Sequence, residues 1–363
     1  MKILCNRMDR AFQRYQSEYE RKVIEVLQSG YYVLGQEVKQ FEKEFANFLG
    51  TDYCVGVGSG LSALQIAFHI LKIGKGDEVI VPANTYIASV LGITLNGAVP
   101  VFVEPDEFYN INADKVEEKI TSKTKAILAV HLYGQAADMK KIQEIAKKYH
   151  LKVVEDCAQS HGAMFDGRMT GTFGDIGCFS FYPTKNLGGF GDGGAVVTAD
   201  ENLADAAIVY RNYGSRKKYY NEVMGVNSRL DELQAGLLRV KLSHLDALNE
   251  ERKNMAAYYK VNITNSKVVL PEVRDHSDPV WHQFVIRVKN RDKIQRYLEA
   301  KGIHTMIHYP VPPYLAQAME YLKIPAGTYP ITDTYAAEVL SLPFYNGMAE
   351  EEQEYVANVI NQI

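Results

Sequence analysis

The stretch CFSFYPTKNLGGFGDGGAVVT, residues 178–198, carries a lysine, Lys185, between an apolar run and a glycine-rich turn that leads into a second apolar run. A strand, a tight Gly-rich return and another strand account for the pattern. Lysines ordinarily stand in water, so one placed among apolar residues and glycines calls for a chemical reason. Working outward, short apolar runs recur upstream at 53–58 (YCVGVG), 77–82 (DEVIVP), 99–104 (VPVFVE), 125–134 (KAILAVHLYG) and 151–156 (LKVVED), with helical patterns between several of them. That interleaving predicts an α/β fold with a mostly parallel sheet covered by helices.

Downstream, the stretch from Leu230 to about residue 260 reads as one long helix leading to a smaller α+β unit. Strands are expected there at 281–288 (WHQFVIRV) and 303–310 (IHTMIHYP), with a helix between them. The expected division is a large domain over 1–240 and a small C-terminal domain over 241–363. A chain of 363 residues exceeds what one core usually serves. With 40 Lys+Arg against 44 Asp+Glu it has no basic footprint for nucleic acid or an anionic membrane. Its four cysteines are scattered without a CxxC, and no apolar run is long enough to span a bilayer, so a soluble cytoplasmic protein is expected.

Ligands of open α/β sheets gather at the carboxyl ends of the strands, and three clusters sit at such ends. In GVGSGLSAL a strand runs through glycines into a helix at Ser59–Ser62. This is a phosphate cradle or a plain strand-to-helix turn; the Walker and Rossmann spacings are both missing. In VVEDCAQSHGA, alternation puts Glu155 and Asp156 on opposite sides, so one of them faces the crevice; Asp156 reads either as a ligand-facing acid or as a helix N-cap. The third cluster is the opening stretch, with Ser180 and Lys185 on either side of Tyr182-Pro183-Thr184 and glycines that allow close backbone approach and positive-φ turns. A partly desolvated lysine is a nucleophile toward carbonyls. Joined to an acid and a phosphate cradle, it makes the set that pyridoxal 5'-phosphate requires.

EDCAQSHGA, GDIGCFSFYPTKNLGGFGDGGAVVT, GVNSRLDELQAG and the N-terminal SGYYVLGQEVKQFEKEFANFLG resemble the DegT/DnrJ/EryC1/StrS family of nucleotide-sugar aminotransferases, from about Gln16 to the C-terminus. The resemblance implies the aspartate-aminotransferase fold (fold type I) with pyridoxal 5'-phosphate as cofactor. It implies that Lys185 forms the Schiff base and carries the proton, and that Asp156 pairs with the pyridinium nitrogen. It places Gln159 by the ring hydroxyl, Tyr86 on the ring face, and Ser180 with the amides of Ser59 and Gly60 on the phosphate. Asn227 is implied to reach the phosphate from a neighbouring subunit, which makes a homodimer with shared sites. Lys185 separates the chain from relatives that carry histidine there and deoxygenate. FSFYPTKNLG and GIHTMIHYPVPP resemble the branch that aminates dTDP-linked 3-keto-6-deoxyhexoses with glutamate as donor. A 4-keto sugar aminotransferase and a non-catalytic ligand sensor on the same fold are the alternatives. Ser62 stands where relatives often carry aspartate, and only local packing is expected to change. His161 reads as a residue packed beneath the ring or as core, His308 as lining the sugar site or capping a strand, and Trp281 as core.

Overall fold

A computed structural model describes residues 1–363. The apolar runs become β1 (Tyr53–Val57), β2 (Glu78–Pro82), β3 (Val99–Val103), β4 (Thr124–Val130) and β5 (Lys152–Asp156). A two-residue-strand hairpin, β6 (Met164–Phe165) and β7 (Arg168–Met169), follows, then β8 (Ile176–Ser180) and β9 (Gly194–Thr198). All but the hairpin join one sheet in the order β1-β9-β8-β5-β4-β2-β3. Strand β9 alone is antiparallel to its neighbours; the pairs β2–β3, β2–β4, β4–β5 and β5–β8 are parallel.

The sheet is apolar on both faces because helices cover both, which is why its strands read as continuous runs and not as alternations. Val55, Val57, Val81, Leu128, Val154 and Val196 point to a core completed by the helices Gly60–Ile70, Ile87–Thr94 and Glu201–Tyr210. Ile80, Ile127 and Val153 point the other way, onto Met139–Tyr149. Farther along that face Phe179 and Ala195 meet Phe41 and Phe45 of the helix Gln36–Leu49, together with Leu238 of the helix Glu232–Leu242.

A separate core lies around the three-stranded sheet of β10 (Val268–Val269), β12 (Val285–Val288) and β13 (Val339–Ser341). It also takes in Ile3, so the extreme N-terminus packs with the C-terminal third. Between β10 and β12, the short β11 (Ser277–Asp278) pairs with β6.

Two downstream expectations are corrected. The long helix is two, Glu232–Leu242 and Leu245–Asn262, because the chain breaks at Ser243–His244. There His244 turns aside to stack on Tyr15, ring centroids 3.8 Å apart, and to bond Glu18. Residues 303–310 form no strand. Their backbone pairs singly, Ile303 with Ile3 and Met306 with Ser341, and side chains from this segment line a cavity instead. The strand expected over 281–288 keeps only its second half, β12.

Candidate active site

The carboxyl ends of β1, β5 and β8 open onto a cavity of about 660 Å³ whose far wall comes from residues 306–309 and 341–344. Seven of the eight predicted site residues line it: Ser59, Gly60, Tyr86, Asp156, Gln159, Ser180 and Lys185. The eighth, Asn227, is exposed and outside it. Its neighbour Ser228 faces inward and accepts a 3.1 Å hydrogen bond from the backbone N–H of Gly58, so alternation turns Asn227 away from the cavity.

Alternation along β5 separates the two acids as expected. Glu155 is completely buried on the far side, where its carboxylate accepts from the amides of Gly171, Phe173 and Gly174. His131 Nε2 lies 2.9 Å from it. Because His131 Nδ1 accepts the amide of Ala137, the imidazole is neutral with its proton on Nε2, and the group is a structural network that anchors the 171–174 turn. His131, Glu155 and Cys157 stand close enough together to hold a metal ion, but those hydrogen bonds already engage both carboxylate oxygens and both imidazole nitrogens.

Asp156 faces the cavity. Ser89 Oγ donates to its Oδ2 at 2.7 Å, the Ala158 amide donates to Oδ1 at 3.1 Å, and Thr85 lies 2.7 Å behind Ser89. The Asp156 side chain therefore closes the turn after β5 and presents a charge to the cavity; the helix N-cap reading is not met, because no helix starts there.

Lys185 sits at the start of the return between β8 and β9, half-buried, with its backbone N–H on Tyr182 O. Desolvation by the surrounding walls lowers its amine to about pKa 8, and Asp156 opposes the shift. The glycines after it serve close approach alone: none of Gly188, Gly189, Gly191, Gly193 or Gly194 has a positive φ, contrary to the turn expectation. A Cβ on Gly194 would stand 2.4 Å from the Ser59 carbonyl, so β9 can pass β1 only with glycine at that point.

At the helix start, the amides of Gly60 and Leu61 have no intrahelical acceptor and face the cavity beside Ser180. A side chain at position 60 would meet Ser180 Cβ at 2.6 Å and fill that space. Such a cradle accepts a phosphate. Ser59 Oγ caps the helix by accepting the Ser62 amide at 3.1 Å and lies 3.0 Å from Ser62 Oγ; Ser62 thus fixes the Ser59 rotamer, more than local packing.

Gln159 is held by two partners. Its Oε1 accepts the Tyr133 amide at 2.6 Å and its Nε2 donates to Tyr309 Oη at 3.1 Å. Tyr309 also packs on Tyr86, centroids 4.9 Å apart. His308 lines the cavity, with Nδ1 2.7 Å from Ser341 Oγ, and burial lowers it to about pKa 4. His161 lies outside the cavity wall against Phe179 and Phe181, completely buried, with neither ring nitrogen bonded. Trp281 is half-buried and stacks on Phe284 of the second core. Tyr309, Ser89 and Thr85 are site residues that the sequence reading does not single out, although Thr85 and Ser89 flank Tyr86 and Tyr309 lies in GIHTMIHYPVPP.

The DegT/DnrJ/EryC1/StrS aminotransferase family profile matches residues 13–361. The chain is 53% identical over 350 residues to the dTDP-3-amino-3,6-dideoxy-alpha-D-galactopyranose transaminase of Aneurinibacillus thermoaerophilus, covering 96% of each. Its fold superposes on Streptomyces venezuelae DesV, solved in complex with a ketimine intermediate, with a TM-score of 0.98 and 45% identity over 99% of this chain and 98% of that one. It also matches NtdA from Bacillus subtilis, solved with bound cofactor PMP, at a TM-score of 0.92 and 32% identity over 98% and 83% of the two chains.

Proposed function

This chain belongs to the DegT/DnrJ/EryC1/StrS aminotransferase family, and we propose that it moves an amino group from glutamate to a nucleotide-linked, dTDP-bearing 3-keto-6-deoxyhexose. It is a pyridoxal-phosphate-dependent sugar aminotransferase. The observation that carries the reading is Lys185, an amine of lowered pKa, sharing one cavity with the Asp156 carboxylate and the Ser59–Gly60–Ser180 cradle.

The residues present fit the cofactor. The space beside Ser180 that a Cβ on Gly60 would fill, next to unpartnered helix amides, suits a phosphate, and the paired donors on Asp156 aim its carboxylate for a cationic ring nitrogen. When bound, the cofactor supplies the electron sink that lets an amine be exchanged for a carbonyl. Lys185 Nζ is the group assigned to hold it covalently and afterwards to take and return the proton at the reacting carbon. A base titrating near 8 is matched to that work. Gln159, braced by Tyr133 and Tyr309, would hold the cofactor's hydroxyl side, and Tyr86, packed on Tyr309, would lie against its ring. The apolar floor at Leu64, Leu91 and Val130 excludes water from the proton transfer.

A homodimer is part of the proposal, with Asn227 acting in the partner's cavity. Exposed apolar side chains flank it in the fold: Met224 at 91% and Tyr219 at 84% exposure follow the same loop, and the Tyr31–Val33 strip runs beside Asp231 and Glu232. A monomer rarely leaves so much apolar surface together. The division into residues 1–240 and 241–363 is likewise proposed, supported by the separate core around β12 and β13.

The test is to supply the purified protein with glutamate and either a dTDP-3-keto- or a dTDP-4-keto-6-deoxyhexose and to weigh the products. Amination of the 3-keto sugar is expected. Preference for the 4-keto sugar transfers the assignment to the other branch, and no amination of either removes it.

A further inference from the structure

Behind Lys185 lies a second cavity of about 270 Å³, which shares Asn6, Thr184 and Lys185 with the first. Its wall holds four cationic side chains, Arg7, Lys185, Lys241 and Arg252, and no carboxylate. Of these, only Arg7 has an ion-pair partner, Asp9. Arg252 is 95% buried, given its 5% relative exposure; its Nε and one terminal nitrogen meet Asn346 and the carbonyls of Trp281 and His282, all neutral, and its other terminal nitrogen has no partner. Lys241 has a single neutral acceptor, the Gly188 carbonyl at 3.2 Å.

Buried cations are ordinarily paired, and leaving the buried Arg252 beside a second, half-buried cation with no ion-pair partner for either is costly. Desolvation lowers both groups, Lys241 to about pKa 7, with Arg252 adding repulsion, and Arg252 to about 10, against an opposing pull from Glu251. An anion seated between them would reverse both shifts. The neighbouring acids are engaged elsewhere: Glu251 binds Arg14, the Asn346 amide and the Gly347 amide.

We propose that Lys241 and Arg252 bind a carboxylate of the amino donor in the first half-reaction, in which the donor gives up its amino group beside Lys185 and leaves as the keto acid before the nucleotide sugar enters the first cavity to receive that group. This rests on the aminotransferase reading and adds the residues that select an acidic donor. The free terminal nitrogen of the Arg252 guanidinium beside the Lys241 ammonium offers a place for a side-chain carboxylate, which a neutral amino acid lacks. A diphosphate oxygen of the sugar nucleotide has related chemistry, and the test separates the two.

The probe is 2-oxoglutarate, titrated calorimetrically into the cofactor-loaded enzyme, with dTDP in a parallel arm. Lys241→Met is expected to weaken 2-oxoglutarate by about tenfold or more, as loss of a charge-assisted bond would. Lys241→Arg should restore it to within about threefold, while the dTDP constant stays put. Unchanged 2-oxoglutarate binding in Lys241→Met, or a loss that falls on dTDP, overturns the proposal. A readout on the unmutated enzyme guards against a variant that misfolds: 2-oxoglutarate should slow acylation of Lys241, followed by mass spectrometry, and dTDP should not. Absence of that protection also overturns it. Neither arm needs turnover, so an enzyme that aminates the sugar with an indifferent Lys241 refutes this inference alone, and a protein that binds 2-oxoglutarate through Lys241 without aminating any sugar refutes the functional reading alone.

Discussion

Ser89 Oγ donates a 2.7 Å hydrogen bond to Asp156 Oδ2 across 67 residues of chain, tying the start of one helix to the end of β5. The acid is thereby aimed from two sides, by Ser89 and by the Ala158 amide. Asp156→Asn keeps the shape and removes the charge; its amination rate should fall on the order of 10²-fold or more, as for other pre-organised electrostatic groups. Ser89→Ala removes one neutral-to-charged hydrogen bond and should cost about 5- to 20-fold, with substrate KM nearly constant. Steady-state kinetics of both variants decides it: a near-normal rate for Asp156→Asn leaves the residue a cap and nothing more.

His161 is completely buried, unbonded at both nitrogens, and pushed down to about pKa 3 by desolvation with help from Lys185. Its folded value lies below the unfolded one near 6.5. The unfolded chain therefore takes up the proton first, and stability is lost as pH falls from about 6.5 toward 3. His161→Phe fills the same space without orphaned nitrogens. It should match or exceed the parent in melting temperature at pH 7, and at pH 4 the advantage should widen to about 2–3 kcal/mol. Equal acid sensitivity of the two proteins, in denaturant melts across that range, counts against the packing role.

Lys185→Ala and Asn227→Ala should each be inactive alone. If the sites are composite, a heterodimer of the two has one site with both lesions and one with neither, and activity should return to roughly half of the unmodified dimer. Dilution should promote cofactor loss, because a ligand bound only by the assembled form stabilises assembly. Proven heterodimers that stay inactive contradict the shared site.

How far the sequence carries depends on range. The seven strands of the large sheet appear within one or two residues of the apolar runs, apart from 125–134, where the run continued into a turn at Leu132–Gly134. Strands buried on both faces must be apolar throughout, so their signal is local. Glu155 and Asp156 were separable by alternation alone, and their actual partners confirm it. The apolar run 303–310 misled, because β pattern cannot tell a laddered strand from a segment whose backbone pairs once with Ile3 and once with Ser341. Ser89 on Asp156, Tyr309 on Gln159 and the pairing of Lys241 with Arg252 in one cavity are long-range contacts that no spacing encodes.

Lys185 should be a net cost to the cofactor-free fold. Its folded pKa of about 8 lies below the ordinary 10.5, so the unfolded chain holds the proton more tightly. Stability from this residue is therefore depressed at neutral pH and recovers as pH rises between about 8 and 10.5. Cofactor-free Lys185→Met should be more stable than its parent at pH 7, by about 1–3 kcal/mol after allowing for partial solvent access. The gap should close toward pH 10. Thermal melts at the two pH values measure it; a gap independent of pH contradicts the desolvated-amine reading.

The central claim is that Lys185 is the residue that holds the cofactor. Borohydride reduction of the cofactor-loaded protein, followed by proteolysis and mass spectrometry, tests it most directly. The account predicts a single stable pyridoxyl adduct on the peptide containing Tyr182-Pro183-Thr184-Lys185. An adduct on Lys241 or any other lysine, with Lys185 unmodified, would contradict it.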